Sequence, residues 1–508
     1  MGGATTVTEQ PRKTGKTITI DPVTRLEGHG KISIFLDDHG EVDRAYFQVP
    51  ELRGFEKFVQ GRPAEDMPQI TSRICGVCPM AHHMAATKAL DELFCAPPPT
   101  AARKIRELVY SAFFVEDHLL HFFYLGGPDF ILGPDAPPPD RNILGVVNRL
   151  GRDAAVELIH LRKHLRDVMT DIAGKAIHPV FGLPGGVSKS VSANTRDKAI
   201  EVAREAIEFA RQLLTTFESD YVPRYLDTIA SDAFTHRTYY MGMVDGQNQT
   251  NFYDGSIRIV TPTGREWNRF SGTDYLNFIA EHAEPWTYVK FCYLKPAGWH
   301  GFRDGAESGV YSVGPLARIN AAEGVSTPRA SEALARFYAV LGDRPVHNTL
   351  ANHWARLIEV LNAAERFQEL ANDYEICDSK IRTISTNRRS EGVGIVEAPR
   401  GTLIHHYKMD EHGLITNANL IVATQNNAAR IALSVDKAAK ALIHGGEVSD
   451  GILNRIEMAF RAYDPCNGCA THALPGSMSL VVEIRASDGS LLSQIQRNEQ
   501  GKVRKYGA

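Results

Sequence analysis

Two Cys-x-x-Cys pairs, Cys75-Gly-Val-Cys78 and Cys466-Asn-Gly-Cys469, stand near opposite ends of this 508-residue chain. Seven cysteines in a chain of this length would give only about 0.1 such pair by chance. Two intervening residues let both sulfurs of a pair reach one ion, and thiolates bind soft and borderline metals. Each pair has a histidine just downstream, His82 and His472. The spacing predicts two halves of one metal site that clips the ends of the fold together. A structural four-thiolate zinc site is the plain alternative, because such sites are common and stabilise folds. Zinc ribbons, however, usually keep their pairs within a few tens of residues, and here most of the chain lies between. Cys95, Cys292 and Cys377 are isolated and read as small buried apolar residues.

The elements that must carry these residues follow from periodicity. Residues 16–48 alternate polar and apolar side chains in Lys16–Ile20 and Gly30–Leu36, and read as strands around the turn Asp37-Asp-His-Gly40. From residue 64 to 94 the spacing turns helical, which puts Cys78 at or just before a helix start, with Pro79 suited to the first turn. A long apolar helix over 101–125 leads into the Gly/Pro-rich loop 133–139. Amphipathic helices span 195–230, capped near Ser192, and residues 235–320 read as irregular structure with short strands. Helices return at 330–341 and 350–373, strands and loops at 393–425, and helices at 427–444 and 450–461. The end of the chain, 479–496, reads as a β-hairpin turning at Asp488-Gly489. There is no internal repeat. The sum predicts a predominantly helical α+β protein, one interleaved body rather than separate domains.

Composition narrows the function classes. At 43% hydrophobic the chain can bury a large core. A net charge of −4, without lysine/arginine runs, argues against nucleic-acid or anionic-lipid binding. No apolar stretch approaches the about 18 residues of a bilayer span. Residues 1–16 read as a flexible polar tail with no signal-peptide core. An odd cysteine count without such a signal fits a reducing, cytoplasmic setting.

The surroundings of the cysteines are more specific than their spacing. Arg73-Ile-Cys75-Gly-Val-Cys78-Pro-Met-Ala-His82-His83 and Asp464-Pro-Cys466-Asn-Gly-Cys469-Ala-Thr-His472 occur together with Arg25-Leu-Glu27-Gly-His29 and Arg53-Gly-Phe-Glu56. In this order they resemble the large, catalytic subunit of nickel–iron hydrogenases, over about residues 17–472. The resemblance implies a nickel–iron centre whose iron carries carbon monoxide and cyanide. Cys75 and Cys466 would be terminal nickel ligands, and Cys78 and Cys469 would bridge the metals. Heterolytic cleavage of H2 needs a Lewis-acidic metal and an adjacent base for the proton, and a terminal thiolate can be that base. Glu27 would relay the proton away from Cys466. Arg400, in Glu397-Ala-Pro-Arg-Gly401, would point its guanidinium at the centre, paired with Asp117 and Asp464. Pro399 and Thr424 would line the cyanide pocket, and His82 would donate to a bridging sulfur.

The resemblance also implies a magnesium-type hard cation held by Glu56, the carbonyl of Leu420 and His472. A maturation protease would remove residues 473–508 after His472; the alternative is a permanent hairpin. With no Gly-x-Gly-x-x-Gly fingerprint and too few spare cysteines for a cluster, electrons must leave through an iron–sulfur small subunit, with further electron-transfer subunits behind it. Cys-Pro-x-x-His-His and Ala423-Thr-Gln-Asn-Asn427 lean toward cytoplasmic, multi-subunit enzymes of the methyl-viologen-reducing type, with NAD-reducing relatives as the alternative. Glu116-Asp117-His118 departs from many relatives at the residue before the aspartate, which leaves the network around Asp117 open. A metal-free, quinone-linked scaffold of the complex I kind is the different-class reading, and retention of all four cysteines argues against it.

Overall fold

The computed structural model describes residues 17–342 and 344–472, together with the strands 480–485, 491–497 and 503–507. Residues 1–16, read above as a tail, lie outside the described residues, as do Ser479, Ser490 and the turn at Asp488-Gly489. Helices dominate, and several small sheets pack among them, as an α+β reading requires.

The N-terminal strands β1 (Thr17–Ile20), β2 (Lys31–Leu36) and β3 (Val42–Gln48) form an antiparallel meander. In β3 buried Ala45 and Phe47 alternate with the less buried Arg44, Tyr46 and Gln48, the period-two signature of a half-buried strand, and a register shift next to Val42 interrupts it. The middle of the chain supplies β4 (Tyr239–Val244), β5 (Ser256–Val260), β6 (Glu266–Phe270), β7 (Ile279–His282), β8 (Phe291–Leu294) and β9 (Tyr311–Ser312). These are the short strands expected of 235–320. A second meander, β10 (Glu391–Ala398), β11 (Gly401–Met409) and β12 (Ile415–Ile421), is buried on both faces of its first two strands. At the C-terminus β13 (Leu480–Arg485) and β14 (Leu491–Arg497) make the expected hairpin, and β15 (Val503–Gly507) adds a third strand. Among the described residues these last three pair only with one another.

Ten helices matter here: α1 (Phe55–Phe58), α2 (Pro79–Leu93), α3 (Thr100–Leu120), α4 (Ile143–Leu150), α5 (Arg152–Ala173), α6 (Ala193–Thr216), α7 (Pro315–Ala321), α8 (Asn352–Asn372), α9 (Ala423–Leu442) and α10 (Asp450–Arg461). Helices α1, α4, α5 and α7 add to those read from the sequence. The start of α9 also lies four residues earlier than the periodicity predicts, so Thr424 sits in a helical first turn rather than a loop. Helix α8 packs on α3 and α6, and this trio holds the main hydrophobic core. Helix α3 widens over His121–Gly126 into a π-type turn, a distortion often found near functional sites.

Helix α2 begins as its sequence dictates, with Cys78 flanking and Pro79 pre-setting the first helical φ. It is buried nearly all round and lies directly on β10. Two glycines permit that approach. A Cβ on Gly394 would stand 1.9 Å from the Ala85 carbonyl oxygen, and one on Gly392 would stand 2.5 Å from that of Ala89. The helix that follows Cys78 is thereby pressed against the β10–β11 hairpin. Among the described residues no helix is long and apolar enough to cross a membrane.

Candidate metal centre

Four thiols from the two ends of the chain meet in the main core. The sulfurs of Cys75, Cys78, Cys466 and Cys469 all lie within 4.8 Å of one another, and all four residues are buried. Cys75 Sγ is 3.4 Å from Cys466 Sγ, and Cys78 Sγ is 3.7 Å from Cys469 Sγ. These separations are too long for disulfides, and all seven cysteines are free. The first of each motif thus stands beside the first of the other, and the second beside the second. The loop before α2 turns the amides of Val77 and Cys78 onto Cys75 Sγ, at 3.2 and 3.1 Å. Burial alone would raise the Cys75 thiol, but its contacts with the Cys466, Cys469 and Cys78 thiols and the charge of Arg400 carry it well below its ordinary pKa.

Glu27 reaches the cluster by way of the backbone. Residues 27 and 466 form an isolated parallel bridge, and Asn467 N–H donates to the Glu27 carbonyl at 2.9 Å. The Glu27 carboxylate then accepts from Cys466 Sγ at 2.9 Å and from Gly468 N at 3.0 Å. Burial raises its pKa above the ordinary carboxylate value, with the charge near Cys75 adding to the effect. Arg53 joins the two cysteine loops by donating to the carbonyls of Ile74, at 2.5 Å, and Gly468, at 3.3 Å.

Arg400 sits at the tip of the β10–β11 hairpin, in the two-residue connection Pro399-Arg400 between paired Ala398 and Gly401. Its guanidinium is buried and spans both expected carboxylates. Nη1 lies 3.2 Å from Asp117 and Nη2 lies 3.0 Å from Asp464 Oδ2. Asp464 holds a left-handed φ of 56°, a sparsely populated conformation of the kind that collects at active sites. Pro399 is buried in the same turn. Thr424 Oγ1 accepts from Cys466 N at 2.9 Å, which leaves its hydroxyl proton to be given elsewhere. The turn tolerates only glycine next: Gly401 has φ +131°, and a Cβ there would stand 2.2 Å from Val313 Cγ2. Gly401→Ala is therefore expected to cost roughly 1–3 kcal/mol in backbone strain alone, seen as a lower midpoint of thermal inactivation.

The remaining predicted residues are gathered near the cluster with different contacts. The hydrogen bond of His82 in this structure joins its Nδ1 and His405 Nε2, 3.1 Å apart, and does not involve a sulfur. His405 Nδ1 in turn meets the Tyr407 hydroxyl at 2.7 Å. Glu56, on α1, accepts from the Leu420 amide at 2.9 Å, whereas the cation reading calls on the Leu420 carbonyl. Burial pushes its pKa up to about 7. His472 packs its ring edge-on against Phe55, beside Glu56, and its Nε2 contacts the Cys469 carbonyl. Its buried Nδ1 has no partner. No described contact joins Glu56 to His472.

A nickel–iron centre fits these groups. The donor set is four buried thiols at ligand spacing. Above it, Arg400 Nε and Nη2 and both Asp464 carboxylate oxygens are buried without a well-directed hydrogen bond. A closed structural zinc site would need neither the carboxylate on Cys466 nor a guanidinium held over the sulfurs. A hard cation fits less completely. Glu56 would regain its charge beside one, and the orphaned His472 nitrogen stands in the same region.

Spacing alone could not find the buried groups behind this shell, namely Arg318, Glu359, His118 and His405. Glu397 was visible only as the start of the Glu-Ala-Pro-Arg-Gly run. Glu116, adjoining Asp117, turns away to pair with Arg162 at 2.7 Å, and His118 instead faces Glu359 at 3.0 Å.

The profile of the nickel-dependent hydrogenase family matches residues 53–135 and 289–472, and a HoxL-like profile matches 17–52. The chain is 46% identical to an F420-non-reducing hydrogenase iron-sulfur subunit of Archaeoglobus profundus, over 95% of this chain and 99% of that one. It is 39% identical to the NAD-reducing hydrogenase HoxS subunit beta of Cupriavidus necator, over 94% and 99%. A crystal structure of an NAD+-reducing NiFe-hydrogenase in the H2-reduced state aligns with TM-score 0.85 at 38% identity, covering 90% of this chain and 100% of that one.

Proposed function

Given that the chain belongs to the nickel-dependent hydrogenase large-subunit family and is an H2 oxidoreductase of the nickel–iron type, we propose the following roles for its residues. Cys75 and Cys466 would hold the nickel of a nickel–iron centre, and Cys78 and Cys469 would be shared with its iron, which would carry carbon monoxide and cyanide. When bound, the centre supplies the Lewis acidity that makes H2 a proton donor and the redox capacity to take its electrons. The chain does the rest. Cys466 Sγ holds the proton, and Glu27, in direct hydrogen-bond contact, takes it away. Arg400, held by Asp117 and Asp464, places positive charge over the sulfurs, and Pro399 and Thr424 close the pocket for the diatomic ligands. The observation that carries this reading is the contact between the Cys466 thiol and the Glu27 carboxylate, which puts a proton acceptor directly on a ligand sulfur.

His82 completes the shell through its tautomer. Burial raises the Tyr407 hydroxyl's pKa to the point that it stays protonated and donates to His405 Nδ1. His405 Nε2–H then donates to His82 Nδ1, which leaves His82 Nε2 as the donor available to a bridging sulfur. Glu56, the Leu420 carbonyl and His472 hold magnesium or another hard divalent cation.

Electrons pass to an iron–sulfur partner. The four sulfurs are buried, yet Gly28, His29, Arg53, Arg73 and Gly76 beside them are exposed, so the centre lies just beneath one face. The partner covers that face. Cys78-Pro-x-x-His82-His83 and Ala423-Thr-Gln-Asn-Asn427 favour partners of the methyl-viologen-reducing type over NAD-reducing ones. Seven free cysteines suit a reducing, cytoplasmic compartment.

The strands after His472 form a sheet of their own. The nickel-dependent hydrogenase profile ends its match at His472, and the solved relative, matched over its whole length, leaves a tenth of this chain without counterpart. Both favour removal of residues 473–508 by a maturation protease. Intact mass of the active enzyme is expected to end at His472; an active enzyme that keeps Ala508 would make the sheet permanent.

Elemental analysis of the purified complex is expected to give one nickel and one iron per chain, with infrared bands from bound carbon monoxide and cyanide. One equivalent of zinc without nickel would restore the structural-site reading.

A further inference from the structure

Arg400 is paired at its tip, Nη1 with Asp117 at 3.2 Å and Nη2 with Asp464 at 3.0 Å, but only the first contact is a well-directed hydrogen bond. Its aim also depends on the turn that carries it, and that turn is gripped from behind by a second buried arginine.

Arg318, on α7, is fully buried, and every one of its five N–H groups has an acceptor. Nε and Nη2 fork onto Glu359, both at 2.6 Å. Nη1 donates to Glu397 Oε2 at 2.8 Å and to the Ala398 carbonyl at 2.9 Å, and Nη2 also donates to the Pro399 carbonyl at 3.0 Å. The neighbouring carbonyls are taken as well, Glu397 by the Tyr110 hydroxyl at 2.6 Å and Arg400 by Asn427 Nδ2 at 3.2 Å. The four residues leading into and through the turn are thus fixed at each carbonyl.

The other end of the clamp reaches the carboxylate that Arg400 meets. Glu359, on α8, accepts from His118 Nε2 at 3.0 Å. Burial lowers the His118 pKa to about 4, so near neutral pH it is an uncharged donor, and it adjoins Asp117 on α3. We infer that Arg318 and Glu359 are a positioning pair: one fixes the turn bearing Arg400, the other fixes, through His118, the stretch of α3 bearing Asp117. Together they set where the Arg400 guanidinium stands over the thiolates, although neither contacts a sulfur. A guanidinium suits the task because its planar fork serves two carboxylates and two carbonyls at once, which an ammonium with three donors does not.

This inference rests on the role proposed for Arg400, and the test separates the two. In the purified complex, Arg318→Lys is expected to retain nickel and iron and to shift the carbon monoxide and cyanide stretching bands in the same direction as Arg400→Lys. Turnover of the double variant should match Arg400→Lys alone within about twofold, because both substitutions remove one effect. Glu359→Gln, which keeps side-chain volume but loses the charge on the fork, should shift the bands likewise. Unshifted bands in either metal-loaded variant, or losses that multiply in the double variant, would overturn the inference. So would failure of both single variants to load metal, which would make the pair a requirement for assembly. Missing bands in the unaltered enzyme would overturn the nickel–iron reading and this inference with it; bands present but unmoved overturn this inference alone.

Discussion

In a Glu27→Gln variant, hydrogen/deuterium exchange with solvent is expected to fall at least about a hundredfold, with nickel and iron still bound. The geometry makes the substitution clean. Gln keeps the length and shape of Glu, and its amide oxygen can still accept from Gly468 N, where the carboxylate now accepts at 3.0 Å. The parallel bridge to residue 466 is made by backbone and is untouched. What disappears is a group that can take a proton from Cys466 Sγ and release it. Burial raises the Glu27 pKa, which brings the carboxyl closer to the range where both its forms are populated. An amide has no such range. Exchange measured against metal content in one preparation decides it: unchanged exchange with full metal removes Glu27 from the proton path. Loss of metal would instead make it a structural support of the Cys466 loop.

How far the site could be read from sequence depends on how local each signal is. The two cysteine motifs are tetrapeptides whose spacing is itself the ligand geometry, and they were legible before any fold was known. Glu27 and Arg53 lie in short runs of unusual residues, and their resemblance to a family supplied roles that spacing could not. The triad Asp117–Arg400–Asp464 draws on a helix, a hairpin tip and the residue before a proline, and only that resemblance joined the three. Beyond it the signal fades. Arg318 and Glu359 are charged residues in helices with no motif around them, and nothing local distinguishes a buried ion pair from a solvated one. The same limit explains the early start of α9: Ala423-Thr-Gln-Asn-Asn427 is polar and reads as loop, but its side chains are spent on the Cys466 amide, on Glu281 and on the Thr402 and Arg400 carbonyls. Tertiary hydrogen bonds there override local propensity. The missed helices α4 and α5 are less buried than α3, and α5 buries only one face. The third strand, β15, pairs only with β14, a contact no hairpin signal reports.

Arg400→Lys is expected to lower turnover by about a hundredfold to a thousandfold, with the metal centre assembled. Lysine keeps the positive charge, so loss of net charge cannot be the cause. It loses the planar fork that lets one residue meet Asp117 and Asp464 together, at 3.2 and 3.0 Å, with Nε still to spare. An ammonium would settle on one of the two carboxylates, and the other would be left buried and unpaired. Burial already pushes Asp117 and Asp464 toward their neutral forms against the pull of Arg400. With that pull weakened, the abandoned carboxyl is expected to take up a proton. Positive charge would then withdraw from the space over the thiolates, where charge changes during turnover and where a fixed donor in a water-poor site acts most strongly. The assay is H2 oxidation by complexes matched for nickel and iron. Near-normal activity would leave Arg400 as a structural residue of the β10–β11 hairpin, and a large loss with unchanged metal content makes it part of the reacting site.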